Sequence, residues 1–80
     1  MYYVYILECA DKTLYTGITT DIAKRLAAHK AGTASRYTRA HGAKRIRYQE
    51  ECQDRGSALR REAAIKKLSR IQKSALIEGK

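Results

Sequence analysis

The sequence predicts an α+β fold in which a small three-stranded antiparallel sheet is flanked by helices, in the order β-β-α-β-α-α. Three observations lead to this prediction. The N-terminal quarter holds two segments rich in aromatic and β-branched side chains, separated by a short polar turn. Two later segments have helical periodicity, and each follows an aspartate that can cap a helix. A length of 80 residues predicts one domain over residues 1–80.

Three segments are predicted to form the strands. Residues 2–9 (YYVYILEC) and 13–19 (TLYTGIT) pair through a turn at residues 10–12 and form a β-hairpin. Residues 45–51 (RIRYQEE) alternate in polarity and supply the third strand.

Capping residues mark the predicted helices. Gly32 lies where the first helix should end, and residues 33–43 are predicted to be a basic loop. The three helices are one capped by Asp21 that runs to about Lys30, one capped by Asp54 that runs to about Arg70, and a short final helix over about 71–78.

The charge points to an anionic partner. Seventeen Lys and Arg residues face eight Asp and Glu residues, which gives a net charge of +9. Nucleic acid is the first candidate and an anionic membrane surface is the second, while charge that serves solubility alone is the third interpretation. No segment reaches the length of about 18 apolar residues that spans a membrane.

The cysteines and the N-terminus favour the cytoplasm. The chain has two cysteines, fewer than a small secreted domain usually carries, so Cys9 and Cys52 are expected to be reduced. No Cys-x-x-Cys pair supports a zinc site. The N-terminus lacks the features of a signal peptide.

The hairpin register decides where two tyrosines point. With a three-residue turn, Tyr5 faces Gly17, and Tyr15 shares the face of Tyr5. A two-residue turn would place the two rings on opposite faces. Gly17 has no side chain, which is typical of a bulge or of a place where a ligand approaches. The alternative interpretation is that both tyrosines are ordinary sheet residues.

The first helix carries a cation and an imidazole on one side. Ile22 and Leu26 define its inward stripe, with His29 about 20° and Arg25 about 60° from Ile22. The planar guanidinium of Arg25 suits a phosphate, because it can bond two oxygens at once. A border arginine beside a half-buried histidine is the alternative.

Glu62 falls inside an apolar arc of the second predicted helix. A carboxylate there costs desolvation free energy unless it meets a cation or a metal ion. A metal ligand and an internal ion pair, with Arg25 as a candidate partner, both stay open. The apolar arc spans about 180° and consists of Ala58, Leu59, Ile65 and Leu68.

Basic residues alternate with hydroxyl groups between the first helix and the third strand. This composition suits phosphate contacts that fix register on a nucleic acid without reading its sequence. A merely solvated loop is the alternative. The predicted nucleic-acid-binding residues are Gly17, Lys24, Lys30, Arg36, Tyr37, Thr38, Arg39, Lys44 and Arg45.

Taken together, these residues resemble the GIY-YIG nuclease superfamily, in its short stand-alone bacterial branch. The similarity covers almost the whole chain, and the order and spacing of its pieces are specific. The matching pieces are Val4-Tyr5-Ile6 for GIY, Tyr15-Thr16-Gly17 for YIG, Arg25 to His29 for the R-x-x-x-H signature, Glu62 for the metal-binding glutamate, the run Tyr37-Thr38-Arg39, and the closing segment KSALIEG.

The resemblance implies hydrolysis of DNA phosphodiester bonds with one divalent cation per site, Mg²⁺ or Mn²⁺. It implies that Tyr5 is the general base or positions the attacking water, and that Tyr15 hydrogen-bonds water or phosphate. Arg25 would bind the scissile phosphate, His29 would assist proton transfer or orient a partner, and Glu62 would hold the metal. Many members carry a late Asn, and this chain contains no Asn.

The chemistry sets two further expectations. A single glutamate suits Mg²⁺, which keeps several waters and shares phosphate oxygens of the substrate. A tyrosine base has an ordinary pKa near 10. Because Arg25 and a metal ion favour the phenolate, activity is expected to rise between about pH 7 and 9.

The predicted function is therefore a divalent-metal-dependent DNA endonuclease of low sequence specificity in DNA repair or processing. Its substrate is single-stranded, branched or duplex DNA, with RNA left open, and the protein is a cytoplasmic monomer or homodimer without a membrane partner. One alternative is a nucleic-acid-binding module with little or no catalytic activity. Another is a protein-interaction adaptor, which would lack the steep salt dependence of phosphate binding.

Overall fold

The computed structural model describes residues 1–79 and has the predicted α+β class. The elements are β1 (Tyr2–Cys9), β2 (Leu14–Thr19), α1 (Ile22–Lys30), α2 (Arg36–His41), β3 (Ala43–Cys52), α3 (Arg55–Lys66) and α4 (Arg70–Ile77). The three strands form one antiparallel sheet in the order β2-β1-β3, so β1 is central and β2 and β3 are edges.

The hairpin has the three-residue turn that fixes the predicted register. The backbone N–H of Cys9 donates to the carbonyl of Thr13 over 2.8 Å. Lys12 has a φ of 71°, the left-handed conformation that commonly ends a three-residue hairpin loop. Tyr5 consequently pairs with Gly17, as predicted.

The two faces of the sheet carry separate cores. Because side chains alternate along a strand, Val4 and Ile6 point to one face, where they pack with Ala58 and Ile65 of α3. The opposite face is covered by α1. Its core consists of Tyr5, Leu7 and Cys9, with Tyr15, Ile22, Leu26, Ala43 and Ile46 packed against them.

Side-chain caps begin the helices as predicted. Asp21 accepts from the backbone N–H of Lys24 over 3.0 Å, and Asp54 accepts from that of Ser57 over 2.7 Å. Helix α3 ends at Lys66, before the expected Arg70. The reason is a capping box in which Ser69 and Gln72 begin α4.

The apolar arc of α3 is narrower than predicted. Ala58 and Ile65 are fully buried, but Leu59 is 38% exposed. Helix α3 packs against the sheet along the stripe through Ala58, Glu62 and Ile65, and Leu59 lies about 100° away from Ala58.

Helix α2 lies within the stretch predicted to be a loop. Its N-cap is Ser35, whose Oγ accepts from the backbone N–H of Thr38 over 3.1 Å. Its end is Gly42, with a φ of 78°. The observed order therefore has one short helix more than expected. Within residues 1–79 no helix has the length and apolar character needed to cross a membrane.

Candidate active site

The ring of Tyr5 lies across the backbone of Gly17 on the edge strand. A Cβ atom added at Gly17 would be 2.6 Å from Oη and 2.8 Å from Cζ of Tyr5, closer than such atoms approach. Both residues are buried, and Tyr5 is 2% exposed. Gly17 therefore gives space to Tyr5, which corrects the expectation that it contacts nucleic acid.

A buried hydrogen bond joins Tyr5 to the first helix. Oη of Tyr5 lies 2.7 Å from Nε2 of His29, and His29 is 2% exposed. The ring of Tyr15 packs edge-on against His29, with centroids 5.3 Å apart. The predicted placement of Tyr5 and Tyr15 on one face is confirmed, and the structure adds that His29 contacts both rings.

The second nitrogen of His29 meets helix α2. Nδ1 lies 2.7 Å from Oγ1 of Thr38, and Oγ1 lies 2.9 Å from Oγ of Ser35. Thr38 is fully buried. It therefore contacts His29 rather than a nucleic acid, which corrects the prediction made from its basic surroundings.

Ser35 was not among the predicted site residues. The signal for it was local: a serine three residues before Thr38, with Gly42 after the segment, is a start and stop pattern for a short helix. Recognising this helix would have placed Ser35 and Thr38 together, but not against His29.

Burial keeps both members of the Tyr5–His29 pair uncharged. Burial raises the pKa of Tyr5 well above its ordinary value of 10.0; Tyr15 and Glu62 add to the increase, and Arg25 opposes it. Burial also lowers the pKa of His29 below 6.5, and Arg25 adds to this decrease. Arg25 favours the Tyr5 phenolate, as expected, but desolvation outweighs it, so the expected phenolate near pH 7–9 is not populated in the free chain.

Arg25 is a half-buried cation without a fixed partner. Within residues 1–79 its guanidinium makes no ion pair or hydrogen bond. It lines a pocket of about 320 Å³ at the start of α1, which also involves Thr19, Thr20, Asp21, Lys24 and Ala28. An unpaired guanidinium beside an open pocket can receive an anion such as phosphate.

Glu62 lies on α3, which packs on the face of the sheet opposite α1. Its carboxylate, with a side-chain exposure of 18%, lies 3.4 Å from Nζ of Lys66. The ion-pair partner of Glu62 in the structure is therefore Lys66 and not Arg25. The negative charge of Glu62 contributes to the raised pKa of Tyr5, so the two side chains are within electrostatic reach.

The donor set fits a weakly held Mg²⁺ ion better than a preformed metal cage. In the part of the chain that the structure describes, no three His, Cys, Asp or Glu side chains cluster as ligands. One carboxylate is enough for an ion that takes its other ligands from water and substrate phosphate. Cys9 and Cys52 are free thiols and do not join a site.

The remaining predicted contact residues lie on the surface. Tyr37 stacks between Tyr15 and His41, with centroid distances of 5.8 and 4.1 Å. Arg45 bonds Glu8 over 2.8 Å, so part of its charge is already compensated. The other exposed residues of the predicted set are Lys24, Lys30, Arg36, Arg39 and Lys44.

Comparisons with known proteins agree with this geometry. Residues 1–74 match the family model of the GIY-YIG catalytic domain. A UPF0213 protein of Halobacterium salinarum is 47% identical over 76 residues, covering 95% of this chain and 99% of the relative. A UPF0213 protein of Streptococcus pyogenes is 50% identical over 76 residues, covering 94% and 83%. The solution NMR structure of UPF0213 protein BH0048 from Bacillus halodurans is 41% identical, with a TM-score of 0.62, and covers 100% of this chain and 86% of that one.

Proposed function

The chain belongs to the GIY-YIG nuclease family, and we propose that it is a divalent-metal-dependent DNA endonuclease of low sequence specificity that acts in DNA repair or processing. The observation that carries this proposal is the convergence of four groups near the edge strand. The hydrogen-bonded pair of Tyr5 and His29 lies within electrostatic reach of both Arg25 and Glu62. A buried phenol next to an unpaired guanidinium and a carboxylate suits hydrolysis of a phosphodiester.

Substrate binding is assigned to Arg25. Its free guanidinium lines the pocket at the start of α1, where its fork can bond two oxygens of the scissile phosphate. The exposed cations on α1, α2 and β3 hold the flanking backbone. These contacts read charge rather than base identity, which is why the proposal includes low sequence specificity.

Glu62 is the residue that would hold Mg²⁺ or Mn²⁺. Its present partner, Lys66, has a side-chain exposure of 54%, and a surface pair of this kind contributes little free energy and is readily exchanged. When bound, the ion supplies Lewis acidity at the phosphate and lowers the pKa of the attacking water. With one carboxylate, binding of the ion depends on the substrate phosphate.

The proton of the attacking water goes to the Tyr5–His29 pair. Because both side chains are uncharged, the phenol can donate to Nε2 of His29 while its oxygen accepts the proton of the water. The water oxygen forms a bond to phosphorus, the bond to the leaving oxygen breaks, and this oxygen takes a proton from solvent. His29 ends the step as an imidazolium, and the pair becomes neutral again when Tyr5 releases a proton to solvent and takes the proton of His29 in its place.

Cleavage of labelled DNA tests the proposal. Single-stranded, duplex and branched DNA are incubated with the protein and Mg²⁺, Mn²⁺ or EDTA, and Glu62→Gln and Glu51→Gln are compared. Glu51 is an exposed carboxylate on β3, so its variant makes the same chemical change away from the site. We expect metal-dependent cleavage by the parent and Glu51→Gln, and its loss in Glu62→Gln.

Two other outcomes have defined meanings. If Glu62→Gln cleaves as fast as the parent, Glu62 is not the metal ligand. If no variant cleaves but all bind DNA with a steep salt dependence, the protein is a nucleic-acid-binding module that keeps the fold without the reaction.

A further inference from the structure

Thr38 has a buried hydroxyl group that hydrogen-bonds the ring nitrogen of His29 that does not face Tyr5. It is fully buried, and its Oγ1 lies 2.7 Å from Nδ1 of His29. It reaches this position because Ser35 caps α2 and holds the backbone N–H of Thr38 over 3.1 Å. Together Tyr5, His29 and Thr38, which are buried, and Ser35, which is half-buried, form a continuous chain of hydrogen-bonding groups.

The proton of Tyr5 decides which nitrogen of His29 is protonated. A phenol is a donor that needs an acceptor when buried, and a neutral imidazole has one N–H and one bare nitrogen. Within residues 1–79, His29 is the side chain that hydrogen-bonds Tyr5. If Nε2 carried the proton, the buried Tyr5 O–H would have no acceptor among these residues. The arrangement that satisfies Tyr5 leaves Nε2 bare and puts the proton on Nδ1.

The surroundings of Thr38 are consistent with that arrangement. Thr38 has acceptors for its own proton in Ser35, whose Oγ lies 2.9 Å and whose carbonyl oxygen lies 3.5 Å from Oγ1. Its oxygen is then free to accept from the Nδ1–H of His29. With the proton of His29 on Nδ1, every hydrogen-bond donor from Tyr5 to Thr38 has an acceptor. With the proton on Nε2, the Tyr5 O–H has none within residues 1–79.

We propose that Thr38 is a positioning residue that holds His29 in the tautomer protonated at Nδ1, so that Nε2 accepts the proton of Tyr5. This inference deepens the proposed function and depends on it for its catalytic consequence. In the step, the O–H bond of Tyr5 breaks and an N–H bond forms at Nε2, while Thr38 continues to accept from Nδ1. In histidines generally, the hydrogen bond made by one ring nitrogen determines whether the other ring nitrogen is protonated.

The tautomer can be observed directly by NMR. In a long-range proton–nitrogen spectrum of the ¹⁵N-labelled chain, a bare ring nitrogen and a protonated one have very different shifts. Nε2 couples to two ring carbon protons at short range and Nδ1 to one, so each is identified. The chain has two histidines, and His41→Gln assigns the exposed one by removing its signals. We expect His29 to show a bare Nε2 and a protonated Nδ1.

Two substitutions of Thr38 distinguish the effect of its hydroxyl group from the effect of its packing. Thr38→Val keeps the shape and removes the oxygen, while Thr38→Ser keeps the oxygen and removes a methyl group. Thr38→Val is expected to move the proton of His29 to Nε2 and to lower kcat for DNA cleavage by about 100-fold, the lower end of a general acid–base contribution. Thr38→Ser is expected to keep the tautomer and most of kcat, with KM unchanged in both.

The spectrum decides the inference even if the chain does not cleave DNA. A protonated Nε2 in the parent overturns it, as does a Thr38→Val variant that folds and keeps the Nδ1–H tautomer. Absence of cleavage in the parent, with the expected tautomer, would contradict the proposed function and leave the positioning role supported. Should Thr38→Val fail to fold by circular dichroism, Thr38→Ala removes the same hydroxyl, and a folded Thr38→Ala variant that keeps the Nδ1–H tautomer overturns the inference.

Discussion

Oη of Tyr5 and Nε2 of His29 lie 2.7 Å apart in the interior of the domain, where they join the central strand to helix α1. Burial acts on the two groups in opposite senses, because it disfavours the charged form of each: it raises the pKa of the phenol and lowers that of the imidazole. The phenol of Tyr5 therefore keeps its proton, and neither side chain of the pair is charged. The following predictions depend on this relationship.

Removal of the Tyr5 hydroxyl should affect both reaction and stability. Tyr5→Phe takes away the proton carrier and is expected to lower kcat by about 10²–10⁴-fold. It also leaves Nε2 of the buried His29 unpaired, at a cost of about 1–3 kcal/mol in the free energy of unfolding. Single-turnover cleavage and urea denaturation measure the two effects. Tyr3→Phe, on the same strand but half-buried, is the matched control and should change neither by much.

The rate of cleavage should be level over pH 7–9. Burial raises the pKa of Tyr5 in the free chain, and the proposed step uses the neutral phenol rather than the phenolate. The reaction needs neutral His29, whose pKa is lowered from 6.5, so the rate should fall only when the pH drops below that value. A pH–rate profile at saturating metal ion measures this. A tenfold increase per unit between pH 7 and 9 would show that an ionised group, and not the neutral pair, takes the proton.

Tyr5 should resist ionisation at alkaline pH. Its folded-state pKa is raised, so its contribution to stability is present below the unfolded value of about 10 and is lost as the pH rises above it. The absorbance change of phenol ionisation, compared between the parent and Tyr5→Phe, reports this group. The difference should appear only above pH 10, together with unfolding; a difference centred below pH 10 is the contrary result.

Substitution of Gly17 should displace the Tyr5 ring. The added Cβ of Gly17→Ala would lie 2.6 Å from Oη, and a buried ring has little room to move. We expect a loss of about 1–3 kcal/mol in the free energy of unfolding and loss of the hydrogen bond to His29. Chemical denaturation and the His29 NMR signals provide the measurements.

A second glycine supplies the control for that experiment. In Gly56→Ala, on helix α3, the added Cβ would meet Arg60 at 3.4 Å and Asp54 at 3.5 Å, which are ordinary contacts. Alanine also favours a helix over glycine by about 1 kcal/mol. Gly56→Ala should therefore be neutral or stabilising. If both variants lose the same stability, the close approach of Tyr5 to Gly17 is not the cause.

Local rules were sufficient to predict most of the fold. The register of Tyr5 with Gly17 follows from the length of one turn, because side chains alternate along a strand. The helices that begin after Asp21 and Asp54 could be predicted, because the contact of an N-cap residue spans only about four residues. Helix α2 was missed because its basic composition suggested a loop, although Ser35 and Gly42 bracket it.

The members of the candidate site could be named from the sequence, but their contacts could not. Arg25, His29 and Glu62 could be named from helical spacing, whereas the bond from His29 to Thr38 depends on how α2 packs on α1. The pKa of Tyr5 was beyond sequence reasoning for a similar reason. Proximity to Arg25 predicted a decrease, and the larger effect of burial could be judged only once the ring was seen beneath α1.

The most direct test of the central claim is the single-turnover rate of DNA cleavage as Mg²⁺ is titrated, compared between the parent, Glu62→Gln and Glu51→Gln. The proposed site predicts a rate that rises with Mg²⁺ to the same plateau in the parent and Glu51→Gln. For Glu62→Gln it predicts little or no cleavage at any Mg²⁺ concentration, with DNA binding retained in EDTA. A Glu62→Gln variant with the same Mg²⁺ dependence and plateau as the parent would contradict it.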